Sequence, residues 1–275
     1  VQPDMVTFTP DDSRILTADE GEPREGYTDG AVDPAGTVTV ITLADGTAVN
    51  VDFTAYDTEE NRQQLADAGI VLKKGAAPSA DFEPEYIAAG NSTAYVTLQE
   101  ANAIAVIDLD SLQVTGVYSA GYEDYSRTAV DIDKKDEAYN PAVYESLRGI
   151  RMPDGVALYS VDGVDYVITA NEGDSREWGD YLNEDERNFK DGETSPSGKI
   201  TAENSGLSGK VVFFDSSDYD GLDDRLDYVF GGRSFTVFRA DETGLTEVYD
   251  SGSEFEAKTA EYIPENFNCS NDDKS

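Results

Sequence analysis

Three stretches of the sequence repeat one arrangement of carboxylates. An acid follows each leading proline, in Pro3-Asp4, Pro84-Glu85 and Pro153-Asp154. Each stretch then closes on Thr-x-x-Glu, at Thr17–Glu20, Thr97–Glu100 and Thr169–Glu172. The proline-to-threonine spacings of 14, 13 and 16 residues accommodate a β-hairpin in every copy. A hairpin goes out and returns, so its two ends finish side by side. With three hairpins set around one axis, Asp4, Glu20, Glu85, Glu100, Asp154 and Glu172 converge on one mouth. Clustered carboxylates repel one another unless cations sit among them, and calcium prefers such oxygen ligands. The plainer reading is that each Glu caps a turn or pairs with a nearby Arg to fix the packing of the repeats.

Two copies extend further, as Glu20-Gly-Glu-Pro-Arg24-Glu25 and Glu172-Gly-Asp-Ser-Arg176-Glu177. Arg24 and Arg176 are anion-binding candidates, because a guanidinium can clamp a phosphate or carboxylate with two parallel hydrogen bonds. The competing reading is a local ion pair with the flanking acids. A second metal candidate is Asp218-Tyr-Asp220-Gly221-Leu-Asp223-Asp224, where alternating acids offer oxygens and Gly221 allows a sharp turn, without the full twelve-residue EF-hand pattern. Asp131-Ile-Asp133-Lys-Lys135-Asp136 is weaker, with Lys135 where a third acid belongs, and reads as a solvated loop. Cys269 stands alone near the end. Asn91-Ser-Thr93 and Asn268-Cys-Ser270 fit glycosylation sequons, and Trp178 and the tyrosines could stack on sugars.

Composition narrows the chemistry. Of 275 residues, 57 are Asp or Glu and 20 are Lys or Arg, a formal charge of −37, and there is no His. Such a chain repels nucleic-acid phosphates and anionic membrane faces and attracts cations. Without His there is no Ser-His-Asp or Cys-His catalysis and no common zinc site. One Cys gives no disulfide framework. No apolar run approaches the roughly 18 residues that mark a membrane span. The chain opens on Val1 rather than Met, which reads as a processed or trimmed product. With 39% apolar residues and 10% aromatics, it has material for a substantial core.

The elements that must position these acids are short strands separated by turns. After the first hairpin come TVTVITL and AVNVDF; after the second, AIAVIDL and LQVTGVYS; after the third, KVVFFD and LDYVF are the candidates. Arg233-SFTVFRA and LTEVYDSG read as the opening of a fourth unit. Four short strands per unit are the signature of propeller blades. The expected fold is therefore all-β, a β-propeller of four-stranded antiparallel blades near 3–80, 84–120, 153–231 and 233–275. Insertions are expected near 55–80, 120–150 and 173–208. The first of these carries a helix, with Asp57 and Glu60 as a capping box and Gly69 as its stop. Propellers close with about four to eight blades, so the remaining blades are expected outside this chain. An open β-sandwich is the alternative.

At these residues the sequence resembles a known family. PDMVTFTPDDSRILTADEGEPRE, AYVTLQEANAIAVIDL, YVITANEGDSREW and FGGRSFTVF resemble the choice-of-anchor I family of secreted bacterial proteins, over most of positions 3–268. The resemblance implies a β-propeller longer than this chain, export, and attachment at the cell surface, without fixing an activity. The expected function is a secreted or cell-surface, calcium-binding scaffold or adhesion module whose partner is another extracellular protein or a glycan. The alternative is a metal-dependent phosphoesterase resembling propeller phosphatases that use calcium with iron or another transition metal. In that version the converging Glu residues hold the metals and Arg24 or Arg176 grips phosphate; no nucleophile stands out.

Overall fold

A computed structural model describes residues 2–21, 32–133, 138–178 and 180–267. The chain is all-β and propeller-like, built on three four-stranded antiparallel sheets, two of consecutive strands and a third of two hairpins distant in sequence. The first comprises Pro3–Phe8, Arg14–Asp19, Thr37–Thr42 and Thr47–Asp52. The second comprises Pro84–Ala89, Thr93–Leu98, Ala103–Asp108 and Gln113–Ser119. The third comprises Val156–Val161, Val164–Asn171, Ser234–Asp241 and Gly244–Asp250. The leading strand of the second sheet lies against the leading strands of the other two, while the last strands of neighbouring sheets touch only sparsely. The sheets therefore fan out from their leading strands, as blades do.

Period-two alternation decides which face of each strand is covered. Ala94, Val96 and Leu98 join Leu16, Ala18, Val38 and Val40 in the core between the first and second sheets. Tyr95 and Ile104 point the other way and meet Val167 and Phe238 of the third. The middle sheet is thus apolar on both faces, and residues 94–98 are all buried. The flanks of the fan differ: Val6 and Phe8 on the first sheet and Tyr159 and Val161 on the third remain exposed.

The third sheet corrects the expected blade boundaries at 153–231 and 233–275. Its outer two strands are SFTVFRAD and GLTEVYD, and Ser234–Ala240 pairs with Asp165–Asn171 in continuous register. They complete the third sheet instead of opening a fourth. Val167 lies directly across from Phe238, so both apolar residues enter the same core. Lys210–Phe214 pairs instead with Glu184–Asn188, and Asp227–Phe230 runs parallel to Leu147–Ile150, which pairs with Tyr122–Asp124. Val211, Phe213 and Phe214 are buried on both faces of their short strand, which suits the satellite cores formed by the insertions. Arg151 ties this region to the third sheet: its guanidinium is buried and reaches Glu123 (2.8 Å), Glu247 (2.6 Å) and Asp250 (3.4 Å).

The helix expected in the first insertion spans Glu59–Asp67, but its cap is Thr58, whose hydroxyl accepts from the Asn61 N–H. Asp57 instead accepts the N–H and hydroxyl of Ser79, 2.9 and 2.8 Å away, which holds the insertion closed. Gly69, at φ +82°, follows the helix as expected. At the far tips of the hairpins, Asp11, Asp45, Asp108 and Asp241 each accept a backbone N–H two residues on, at 2.9–3.0 Å. Part of the acidic composition is thus turn chemistry.

Replacing Ile104 by Ala is expected to cost about 2–5 kcal/mol, read as a lower urea midpoint. Exposed Val6→Ala is expected to stay within about 0.5 kcal/mol. Equal losses at the two positions would show that the second and third sheets do not share a core.

Candidate functional site

The strand registers bring the repeated acids to one end of the fan. Pro3 faces Asp19, Pro84 faces Leu98 and Val156 faces Thr169, so the acids at both ends of each hairpin emerge together, opposite the hairpin tips. Asp4 lies in a register irregularity between Pro3 and Met5, and Glu85 in one between Pro84 and Ile87. A bulge of this kind re-aims a side chain out of the strict alternation.

Within Thr-x-x-Glu the threonine and its neighbour are architectural. The Thr17 hydroxyl donates to Asp19, which also accepts from Thr37 and Thr39 on the next strand. Thr169 donates to Asn171, whose amide donates to Ser234 and Thr236 across the third sheet. Thr97 instead donates to the Asp154 carbonyl at 2.8 Å, joining the second hairpin to the third. The final Glu of each motif is what remains for the mouth.

Electrostatics shows the convergence. Burial pushes the Glu85 carboxyl up to about 10, and the negative charges of Glu100, Glu20, Asp4 and Glu83 add to the effect. Glu100 is raised well above the usual carboxylate range, first by burial and then by Glu83 and Glu20, with Arg176 opposing. Asp154 rises to about 6 through burial, the charge and hydrogen bond of Glu172, and Asp4. Asp4 thus acts on both Glu85 and Asp154, which links the six expected acids through a chain of neighbours. The Glu100 Oε2 atom is sealed from solvent and has no hydrogen-bond partner. Glu83, buried at the same end, was not singled out in the sequence, although it stands directly before Pro84-Glu85.

Arg176 is buried and committed to protein carboxylates. One nitrogen lies 2.6 Å from Asp81 Oδ1; the other donates to the Asp81 carbonyl at 2.9 Å and lies 3.7 Å from Glu83. Its partners are thus distant in sequence, unlike the flanking acids considered above. Nearby Asp33 is raised to about 6, chiefly by burial, with Arg176 opposing and Asp81 adding to the rise. Arg24 lies outside the described residues, as does Cys269.

The second acidic stretch does not join the mouth. Tyr219–Asp220 pairs with Leu72–Lys73, and Gly221, at φ +87°, sits where a Cβ would stand 2.1 Å from the Ile70 carbonyl oxygen. Three of its four acids face different protein cations: Asp218 lies 4.0 Å from Lys73, Asp220 3.1 Å from Arg62 and Asp223 2.6 Å from Arg225. Asp131 and Asp133 are buried, contrary to a solvated loop: Asp131 accepts the Asn140 N–H and Asp133 the Ser208 N–H. Lys135 and Asp136 lie outside the described residues.

Among the described residues, no three His, Cys, Asp or Glu side chains are grouped to hold a metal ion. The donor atoms of these acids are carboxylate oxygens, the type hard cations take, and one of them, Glu100 Oε2, lacks a hydrogen-bond partner. No helix among the described residues is long and apolar enough to cross a membrane.

A family model described as the Choice-of-anchor I domain matches residues 1–275. No curated protein matches the chain by sequence. Among solved structures it is similar to the hydrazine synthase of Kuenenia stuttgartiensis, at 11% identity and a TM-score of 0.26, over 90% of this chain and 66% of that one. It is also similar to a Bacteroides fragilis protein assigned as a 6-phosphogluconolactonase, at 11% identity and a TM-score of 0.26, over 91% of this chain and 84% of that one. Likenesses at this level carry no argument; the fold rests on the sheet topology.

Two outcomes follow from the site. Arg176→Ala removes the guanidinium from buried Asp81 and Glu83 and is expected to destabilise by about 3–5 kcal/mol; a change under about 0.5 kcal/mol in urea melts would contradict the buried pairing. The two ends of the fan should also titrate oppositely. Asp241 is held down to about 2, chiefly by the Thr243 hydroxyl and then Arg239, so its stabilisation is present above its ordinary pKa of 3.8 and lost as pH falls toward 2. Glu85, raised from 4.5 to about 10, favours the fold while protonated, and that contribution drains away as pH climbs from 4.5 toward 10. Metal-free protein is therefore expected to melt lower at pH 9 than at pH 6, and Glu85→Gln to reduce that difference.

Proposed function

The chain belongs to the choice-of-anchor I family, and from that membership we propose that it is an exported, cell-surface module for interaction or anchoring, stabilised by calcium at its acidic mouth. The observation that supports the calcium reading is the arrival of acids from three equivalent hairpins at one end, where neighbouring acids raise the proton affinity of Glu85, Glu100 and Asp154. Like charges buried together oppose folding unless protons or cations neutralise them. Outside a cell, calcium at millimolar levels is the cation that oxygen-only sites of modest affinity take up. Neutralising the mouth would draw the three sheets together and leave a firm surface for an extracellular protein or glycan.

The exposed Val6 and Phe8 on one flank, with Tyr159 and Val161 on the other, support the reading that further sheets cover the ends of the fan. The phosphoesterase alternative draws no support from the comparisons. Its proposed phosphate clamp, Arg176, already holds Asp81.

Calcium at about 100 times its Kd contributes roughly 2.7 kcal/mol, which in a domain of this size corresponds to a rise of about 5–10 °C in Tm. The expected result is such a rise with calcium chloride, reversed by chelator and smaller with magnesium. A shift no greater than that given by sodium chloride at equal ionic strength would sink the calcium reading.

A further inference from the structure

We propose that the chain cleaves itself at the Asp33–Pro34 peptide bond, by attack of the Asp33 side chain on its own carbonyl carbon. Asp33-Pro34 is the one Asp-Pro pair in the sequence. It lies in the connection between strands Arg14–Asp19 and Thr37–Thr42. A bond of this type is the most acid-labile in a polypeptide, because the proline nitrogen is a tertiary amide, more basic than its neighbours and easier to expel. Having no N–H, that nitrogen cannot close the succinimide that aspartate forms before other residues. Nucleophile and carbonyl belong to one residue, and well-oriented intramolecular attacks reach effective molarities on the order of 10⁵ M or more.

The surroundings supply what an exposed Asp-Pro pair lacks. The Asp33 Oδ1 atom is sealed from solvent and accepts no hydrogen bond from the described residues, although buried carboxylate oxygens nearly always accept one. No donor therefore engages its lone pairs. Burial raises the carboxyl to about 6, with Asp81 adding to the rise and Arg176 and Lys73 opposing it. A neutral carboxyl carries both the nucleophile and the proton that the leaving nitrogen needs. Asp154 is raised as far, but it hydrogen-bonds Glu172 and precedes a glycine.

Beyond the bond the backbone is closely packed. A Cβ on Gly21 would stand 2.7 Å from the Pro34 carbonyl oxygen, and one on Gly36 would stand 2.1 Å from the Phe82 carbonyl oxygen. The Gly36 N–H donates to the Ser79 carbonyl at 3.1 Å. Before the bond, Val32 is 80% exposed. The leaving nitrogen is thus held in place while the acyl side opens onto water.

The step balances with water alone. A carboxyl oxygen of Asp33 bonds to the Asp33 carbonyl carbon, the carbon–nitrogen bond to Pro34 breaks, and the carboxyl proton passes to the proline nitrogen. The cyclic anhydride left on Asp33 takes up one water and opens to an α-carboxyl and a side-chain carboxyl. The two pieces stay associated, because Arg14–Asp19 pairs with Thr37–Thr42 along its length and Leu16 and Ala18 remain in the core. The product is a nicked fold whose first hairpin is retained by contacts alone.

The test is to hold the purified full chain with protease inhibitors at pH 5.5 and at pH 8 and to read intact masses after denaturation. Pieces 1–33 and 34–275 are expected, summing to the parent plus one water, at a rate independent of protein concentration. The rate should be at least about tenfold higher at pH 5.5 than at pH 8, because the carboxyl loses its proton above about 6. In urea the carboxyl returns to its ordinary value of 3.8, so the unfolded chain at pH 5.5 should cleave at least about tenfold more slowly. Asp33→Asn removes the acid and Pro34→Ala the labile bond, and each should abolish both pieces. A parent chain that stays whole for weeks at pH 5.5 overturns the proposal. So do pieces that form as fast in urea, or that persist in Asp33→Asn.

Discussion

The middle sheet packs against a neighbouring sheet on each face. Its strands supply Ala94, Val96 and Leu98 to one core and Tyr95 and Ile104 to the other, and nearly everything else follows from this double burial. A sheet covered on both sides can carry charge only where its strands end. A chain with 57 acidic residues must therefore concentrate many of them at the two rims of the fan. At the hairpin tips the acids are short, exposed and bonded to turn N–H groups, which keeps them ionised. At the opposite rim they are crowded and partly desolvated, which favours the neutral form. One architecture thus gives the same functional group two opposed chemistries.

Local pattern made much of this legible. The repeated proline-acid and Thr-x-x-Glu ends marked the hairpins, and hairpin geometry sufficed to bring Asp4, Glu20, Glu85, Glu100, Asp154 and Glu172 to one rim. The first two sheets follow chain order, so adjacency in sequence predicted adjacency in space. The third sheet does not obey that rule. Its second half lies beyond an insertion carrying strands at least as apolar, and only the meeting of Val167 with Phe238 across the sheet selects the right partner. Sequence spacing contains no record of that choice.

The roles of individual acids were harder to read, because a carboxylate's partner is often remote. Asp131 and Asp133 looked solvated from their neighbours, yet they accept N–H groups from Asn140 and Ser208 in the interior. Asp218, Asp220 and Asp223 looked like one calcium loop, yet three cations from separate parts of the chain divide them. Arg176 looked like an anion clamp beside its own acids and instead grips Asp81. Thr58 displaced Asp57 as helix cap because Asp57 was claimed by Ser79. In most of these cases a long-range contact outbid the local one; Asp223, held by Arg225 two residues on, is the exception.

The split third sheet also imposes an order on folding. Strand Val164–Asn171 cannot be covered on its outer edge until Ser234–Asp241 arrives, so during synthesis the first two sheets can assemble while this hairpin still waits. Closing the intervening loop adds little to the equilibrium cost, which grows only with the logarithm of loop length. The delay is kinetic, because distant pairings form late. Until then the apolar row around Val167 and the face of the second sheet that it covers stand open together. The interval before residues 234–250 dock is thus when the nascent chain is most exposed to aggregation and most dependent on whatever shields it.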